Sequence, residues 1–360
     1  MIKLNIDLDQ RSYPIYITTG YDNIGKAIEN ANLRGKMVLI TDTNVDKCQA
    51  NECIDALRRS NVYVEKFVIK AGEKSKNLDT IKEIYNFLVD LKLDRNATLV
   101  ALGGGVVGDI TGFVASTFLR GINFVQIPTT LLSQSDSSVG GKVGVDFKGH
   151  KNIIGSFYQP KLVYINVNSL KTLPKRELCS GLAEVVKHGI IKDEEFYEYI
   201  DDNAEKILNL DESVLQYIVK INCSIKGNVV EKDEKESGLR AILNFGHTIG
   251  HAIETVMGFE FLHGECVSLG MIAAFKVANY LDIIDDKSTE KVKKTLEKIS
   301  LPVTLQNIDV DRVYNQMFYD KKVKGNKLQF ILPRKKIGEV IQCTIDDEKV
   351  IKKAIESLNN

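Results

Sequence analysis

The 360-residue sequence has no CxxC pair among its six cysteines, Cys48, Cys53, Cys179, Cys223, Cys266 and Cys343. A chain of this length needs no disulfides to fold, so they are read as reduced thiols of a cytoplasmic protein. Net charge is absent too, with 48 Lys+Arg against 48 Asp+Glu. That removes the summed positive field behind salt-dependent nucleic-acid binding and points to a small or locally charged partner. No uncharged apolar run reaches the roughly 18 residues of a membrane span. The N-terminus, MIKLNIDLDQRSYPIYI, alternates apolar and polar residues without the basic start and apolar block of a signal peptide, and is read as a strand. Neither secretion nor membrane insertion is expected. Proline is scarce, at 6, and with 44% apolar and 27% charged residues the composition fits a folded soluble protein. Internal repeats and low-complexity tracts are missing as well. The length suggests about two domains of roughly 100 to 200 residues each.

What is present changes character along the chain. Residues 1–171 carry short apolar runs at Met37 to Thr41, Tyr63 to Ile69, Thr98 to Leu102, Phe124 to Ile127 and Leu162 to Ile165. Helical patterns such as Asp46 to Ser60 and Asn77 to Leu91 lie between them, which predicts an α/β layer with a largely parallel sheet. Ligands of such a layer sit at the carboxyl ends of the strands. Residues 172–360 read as mainly helical, over Arg176 to Ile191, Glu194 to Ile207, Glu212 to Val230, Leu239 to Val256 and Gly264 to Leu281. A small hairpin is expected from Lys327 to Leu332 and Ile337 to Ile341.

The segment TLVALGGGVVGD, Thr98 to Asp109, is a strand running into Gly103, Gly104, Gly105 and Gly108, followed by a helical stretch from Ile110 to Leu119. Gly103, Gly105 and Gly108 satisfy GxGxxG, whose glycines let backbone approach a pyrophosphate at a helix N-terminus. The acid expected to bind a ribose is missing, since no Asp or Glu occurs from Ile110 to Ser135, and Asp42 at the end of an earlier strand is the substitute. The bland alternative is a glycine turn that only packs helix against strand. Next, residues 127–155 concentrate the hydroxyls of Thr129, Thr130, Ser133, Ser135, Ser137 and Ser138 with Lys142, Lys148 and Lys151, in a loop suited to phosphate or sugar hydroxyls. Ordering Gly140, Gly141 and Gly144 costs chain entropy that a mere connection has little reason to bear.

In the helical half, His247 and His251 are four apart in RAILNFGHTIGHAIE, and His263 follows in FLHGE at the start of the next predicted helix. Two histidines on one helix face can converge on a metal. Thr248 stands where a zinc peptidase would carry its catalytic Glu, which disfavours that chemistry. Glu184 in GLAEVVKHG is the best carboxylate partner, with Lys187 one turn on. Spacing does not choose among the three histidines. Lys226, Glu236, Arg240 and Asn244 lie on or near helices close in sequence to these candidates, whereas Lys321 and Lys322 read as surface charge.

Taken in order, GGGVVGD, IPTTLLSQSDSSVGGK, GHKNIIG, GLAEVVKHG, LNFGHTIGHAIE and LHGE resemble the 3-dehydroquinate synthase family of the shikimate pathway, over nearly the whole chain. The resemblance implies a Rossmann-like α/β NAD-binding domain followed by a helical metal-binding domain, with the active site in the cleft between them. It implies a lyase of aromatic amino acid biosynthesis that converts 3-deoxy-D-arabino-heptulosonate 7-phosphate to 3-dehydroquinate and phosphate. Transient oxidation by NAD, phosphate elimination, reduction and aldol closure would leave no net NADH. Zinc, or cobalt, would be held by Glu184, His247 and His263. The dinucleotide would contact Asp42, Asn44, Glu73, Lys76, Gly104, Gly105, Val106, Val107, Gly108, Asp109, Thr129, Thr130, Lys142, Lys151, Leu170, Lys171 and Thr172. Asp136, Lys142, Asn152, Lys187, Lys226, Arg240, Asn244 and His251 would grip substrate, with Glu236 nearby. Arg120 matches a residue that reaches the phosphate site of a neighbouring subunit, which implies a homodimer. Ser135, Val143 and Cys266 depart from the family pattern, which usually has an apolar residue, Thr and Ala there. Competing readings are a sister sugar phosphate cyclase, a metal- and NAD-dependent polyol dehydrogenase, and a non-catalytic NAD-binding protein. The lysines and arginine favour an anionic substrate over a plain alcohol.

Overall fold

The computed structural model describes residues 1–258, 260–319 and 328–359. Lys321, Lys322 and Lys327 lie outside the described residues. The chain forms two compact units, Met1–Leu173 with Leu215–Glu231, and Pro174–Val214 with Lys232–Asn360.

The first unit is built on a sheet that has seven strands among the described residues. They are β1 (Ile2–Ile6), β2 (Tyr13–Thr18), β3 (Met37–Asp42), β4 (Val64–Ile69), β5 (Thr98–Gly103), β6 (Asn123–Pro128) and, after the hairpin β7 (Lys142–Phe147) and β8 (His150–Phe157), β9 (Leu162–Asn166). Their order is β1-β2-β9-β6-β5-β3-β4, parallel throughout except for the antiparallel β1–β2 pair. The N-terminal segment read as one strand is therefore two, because Asp9 turns the chain in the left-handed region (φ +54°). Alternate residues of the central strands enter opposite apolar layers. Leu39, Val100 and Val125 pack with helices α1 (Ile24–Asn30) and α2 (Asn51–Arg59). Val38, Leu99 and Phe124 pack with α3 (Leu78–Asp90) and α4 (Gly105–Thr117). Burial on both faces explains why these strands are near-continuous apolar runs.

β3 pairs with β4 on one side and β5 on the other. The helix after β3 covers one face and the helix after β5 the other, so a crevice opens at the carboxyl ends of these strands. Asp42 and Gly103 are their last residues.

The polar segment expected as a loop folds further, into a π-helical turn at Ser133–Ser137 and the β7–β8 hairpin. Gly144 allows the two hairpin strands to approach, since a Cβ there would stand 2.5 Å from the Ile154 carbonyl oxygen.

The second unit contains α5 (Lys175–Lys192), α6 (Glu194–Asp202), α7 (Ala204–Leu208), the helix α9 (His247–Val256) that follows α8 (Glu212–Lys232), then α10 (His263–Tyr280), α11 (Asp286–Lys298) and α12 (Val310–Gln316). The hairpin β10 (Leu328–Arg334) and β11 (Lys336–Ile345) and the terminal α13 (Glu348–Glu356) complete it. The Leu215–Glu231 stretch of α8 packs into the first unit, where Asn222 Nδ2 donates to Ser135 O (2.9 Å) and Cys223 Sγ to Gln134 O (3.3 Å). Apolar on nearly every face, α10 is buried for most of its length, as such a helix must be. The stretch Leu239 to Val256, read as one helix, is interrupted. A 3-10 helix at Leu239–Asn244 ends before Gly246, whose φ of +75° breaks the helix, and α9 starts at His247.

Candidate active site

At the crevice of the first unit the Asp42 carboxylate accepts the backbone N–H of Asn44 (2.8 Å) and Val45 (3.1 Å), fixing the turn that exposes Asn44. Gly104 precedes α4, whose N-terminus has no side-chain cap. The N–H groups of the first helical turn are thus open to an anion. A Cβ on Gly104 would meet Thr130 Cγ2 at 3.0 Å, and one on Gly105 would meet Ser137 Oγ at 3.3 Å, so side chains there would fill the space before the helix. Gly108 serves packing as well, its Cβ position lying 3.0 Å from Gln126 Oε1. Val107 is buried in the apolar layer and Val106 packs against it, so these residues offer a ligand backbone rather than side chain. Thr130 and Ser133 cap each other reciprocally, while the buried Thr129 hydroxyl finds no hydrogen-bond partner among the described residues. Leu170, Lys171 and Thr172 lie on the 3-10 turn Val167–Thr172, with Leu170 buried, Lys171 exposed and Thr172 Oγ1 accepting from Gln49 Nε2 (3.0 Å).

Lys76, 5% exposed, is a hub. Its ammonium pairs with Asp109 Oδ2 (2.6 Å), lies 4.0 Å from Glu73 Oε1 and donates to Asn152 Oδ1. Burial would lower its pKa, but Asp109 and Glu73 outweigh that and raise it. Asn152, held in the left-handed region (φ +53°), donates its N–H to Asp146 Oδ1 (2.8 Å), and Asp146 N–H donates to Lys76 O (2.8 Å). Asp146 was not legible as a site residue in the sequence. It anchors Asn152 through a bulge in β7 and leaves no motif. Lys142 and Lys151 are exposed on the same hairpin. Lys226 reaches Asp136 twice, at Oδ1 (2.9 Å) and at its carbonyl oxygen (2.5 Å). Arg120 stands apart, exposed on a turn where Leu119, Arg120 and Gly121 all have positive φ (+49°, +67°, +116°). Such backbone is strained at the two non-glycine positions.

In the second unit, Glu184 on α5, His247 at the start of α9 and His263 at the start of α10 present one oxygen and two nitrogens, all within 4.8 Å of one another. His263 Nε2 is 3.1 Å and His247 Nε2 3.5 Å from Glu184 Oε1. His247 Nδ1–H donates to Phe245 O (2.9 Å), which directs Nε2 toward the carboxylate. Lys187 forms an ion pair with Glu184, and both are almost fully buried. Burial alone would raise the Glu184 pKa, but Lys187 and the two histidines hold it well below the usual carboxylate range. Burial pushes His247 down; in His263, burial is outweighed by the bond with Glu184, and its pKa rises. The His251 ring is 5.1 Å from that of His247 and 5.9 Å from that of His263. Two imidazoles and one carboxylate suit a divalent ion of the zinc type with a coordination position left for substrate. Glu236, Arg240 and Asn244 are grouped on the segment before α9, where Asn244 Nδ2 donates to Glu236 Oε1 (2.9 Å).

Profiles of the N-terminal and C-terminal regions of 3-dehydroquinate synthase match residues 66–180 and 181–323. The 3-dehydroquinate synthase of Acetivibrio thermocellus is 74% identical over 358 residues, 99% of both chains. The chain belongs to the 3-dehydroquinate synthase family. That of Ruminiclostridium cellulolyticum is 59% identical over 360 residues, all of both chains. Among solved structures, 2-deoxy-scyllo-inosose synthase complexed with carbaglucose-6-phosphate, NAD+ and Co2+ matches with a TM-score of 0.90 at 24% identity, covering 99% of each chain. The 2-epi-5-epi-valiolone synthase of Streptomyces hygroscopicus with NAD+ and Zn2+ bound matches at 0.89 and 25% identity, covering 98% of each. The fold is that of the dehydroquinate synthase-like cyclases, and the activity is that of the family: a lyase reaction on a phosphate ester that yields 3-dehydroquinate in the shikimate pathway.

The three positions read as departures from the family pattern are all buried. Ser135 is fully buried with its hydroxyl donating to Leu131 O (2.7 Å), so the polar group is satisfied. Val143 packs against Gly112, where a Cβ would lie 2.3 Å from Val143 Cγ1. Cys266 is buried.

Proposed function

We propose that the family reaction on 3-deoxy-D-arabino-heptulosonate 7-phosphate is run here with NAD and one divalent metal ion, zinc or cobalt. The observation that carries this reading is the convergence of Glu184, His247 and His263, which fits a three-ligand site. The uncapped N-terminus of α4, the cradle that Cβ atoms at Gly104 and Gly105 would fill and the unsatisfied Thr129 hydroxyl fit a dinucleotide. When bound, the dinucleotide supplies hydride transfer and the metal polarises alcohol and ketone oxygens of the substrate.

In this reading residues 1–171 form the cofactor domain. Asp42 and Asn44 face a ribose, backbone from Gly104 to Asp109 receives the pyrophosphate, and Glu73, Lys76, Thr129, Thr130, Lys142, Lys151 and Leu170 to Thr172 complete the contacts. Residues 172–360 carry the metal ligands and most substrate groups. Lys187, Lys226, Lys142 and Arg240 neutralise carboxylate and phosphate, Asp136, Asn152 and Asn244 orient hydroxyls, and His251, with Glu236 nearby, moves a proton. Arg120 serves the phosphate site of a second subunit in a homodimer. Among the described residues no helix is long and apolar enough to cross a membrane, and a cytoplasmic location is part of this proposal.

The test is phosphate release from 3-deoxy-D-arabino-heptulosonate 7-phosphate with zinc and a trace of NAD+, while absorbance is followed for NADH. Stoichiometric phosphate without accumulating NADH, and loss of turnover on chelation, are expected. Phosphate only from another sugar phosphate, or steady NADH from a polyol, would overturn the reading.

A further inference from the structure

Between α8 and the 3-10 helix at Leu239–Asn244 the chain makes a short excursion from Asp233 to Gly238 that contains no regular element. Lys235, Ser237, Gly238 and Leu239 are exposed, so little apolar packing holds it. Asp233 does. Although it lies between the exposed Lys232 and the half-buried Glu234, it is 8% exposed, and its carboxylate accepts four hydrogen bonds. Oδ1 receives Ser237 N–H (2.7 Å) and Ser237 Oγ–H (2.9 Å). Oδ2 receives Gly238 N–H (2.7 Å) and Arg240 N–H (2.9 Å). The Arg240 side chain turns back to donate to Glu234 O, and Asn244 Nδ2 donates to Glu236 Oε1 (2.9 Å). Glu236 itself sits at φ +58°, a conformation the excursion must impose.

We propose that Asp233 is a positioning residue for substrate recognition: its carboxylate folds the Asp233–Arg240 segment so that Arg240, with Glu236 and Asn244, is presented in one preset arrangement to an anionic group of the substrate. The inference rests on the proposed substrate role of Arg240. Its physical basis is that one carboxylate fixes the backbone of the very residue whose guanidinium does the binding. A guanidinium fork recognises carboxylate or phosphate through paired hydrogen bonds and is sensitive to angle as well as distance. Ordering the segment before binding also removes an entropy cost that the substrate would otherwise bear. The N–H of Arg240 first, then that of Ser237, with lesser help from Gly238 and the Ser237 hydroxyl, hold the Asp233 carboxyl far below its usual range, so the anchor is charged whenever the enzyme works.

The holoenzyme with zinc and NAD+ is assayed as wild type, Asp233→Asn, Arg240→Ala and the double variant. Asparagine keeps the shape but replaces one acceptor oxygen with an NH2 group that opposes the backbone donors. The expected result is a fall in kcat/KM of about tenfold or more, on the scale of a misplaced binding group, with KM raised and NAD+ affinity and zinc content unchanged. In the Arg240→Ala background the same change should add little, since the two residues act as a unit. Kinetics of Asp233→Asn within about twofold of wild type, or full additivity with Arg240→Ala, would overturn the positioning role. Wild-type enzyme unable to release phosphate would instead overturn the reading on which this one rests. Should Asp233→Asn fail to fold, Ser237→Ala removes a single donor. A smaller rise in KM then supports the proposal, and an unchanged KM rejects it.

Discussion

Of the three proposed ligands, His263 is the one whose removal separates metal binding from folding most cleanly. Its side chain is 31% exposed, against 1% for Glu184 and 11% for His247. In His263→Ala the Glu184 carboxylate keeps its pairing with Lys187, so no buried charge is stranded. Changes beyond the ligands already cost such sites about 10- to 100-fold in metal affinity, so loss of a ligand should cost at least about 100-fold. Elemental analysis after dialysis should find no zinc, while the melting temperature of the metal-free protein stays within a few degrees of wild type. Full zinc content would remove His263 from the site. The charged, histidine and glycine residues grouped at this candidate site could be picked out in the sequence because such residue types in fixed local order are unusual. Asp146 and Asp233 were not, since each works by accepting backbone N–H groups, and any sequence can supply those donors.

At the scale of elements the candidate metal site forms because three helices touch through glycine. A Cβ on Gly264 would lie 1.9 Å from Ser180 O, joining α10 to α5 one turn before Glu184. One on Gly270 would lie 1.9 Å from Gly246 O, and one on Gly250 2.8 Å from Cys266 O, joining α10 to α9. Arg176 at the start of α5 adds a bidentate grip on Glu265, with both contacts at 2.7 Å. Gly270→Ala, which touches no ligand, should therefore push α9 from α10. Overpacking costs about 1–3 kcal/mol, and with backbone as the obstacle the upper end is expected. A clearly lower melting temperature together with weakened zinc retention is the predicted outcome; an unchanged melt with full zinc would show that the helices yield without cost. Strand positions followed from apolar runs, because parallel strands buried on both faces have little freedom of composition. The β7–β8 hairpin and the break at Gly246 did not. Polar, glycine-rich β structure has no hydrophobic period, and one left-handed residue leaves the helical spacing on either side intact.

At the scale of the whole chain, the texture of the sequence changes near residue 172, and the structure holds one unit built on a sheet with helices on both faces and one mainly helical unit. Contacts distant in sequence decide what that texture does not show: Leu215–Glu231 joins the first unit because Gly227 admits Ile6 against the helix, and Glu231 accepts the N–H of Asp7 (2.8 Å). The proposed homodimer belongs to this scale as well, and Arg120 makes it testable. Its exposed turn holds Leu119 and Arg120 at positive φ, a strained conformation for non-glycine residues. If Arg120 completes the phosphate site of the other subunit, Arg120→Ala and His263→Ala are each inactive, for different reasons and at different sites. Mixed, unfolded and refolded together, half of the dimers would combine the two lesions. In each such dimer the subunit with intact metal ligands receives Arg120 from its partner, so activity should return to about a quarter of wild type. If Arg120 instead serves its own subunit, every site in the mixture lacks one group and no activity returns.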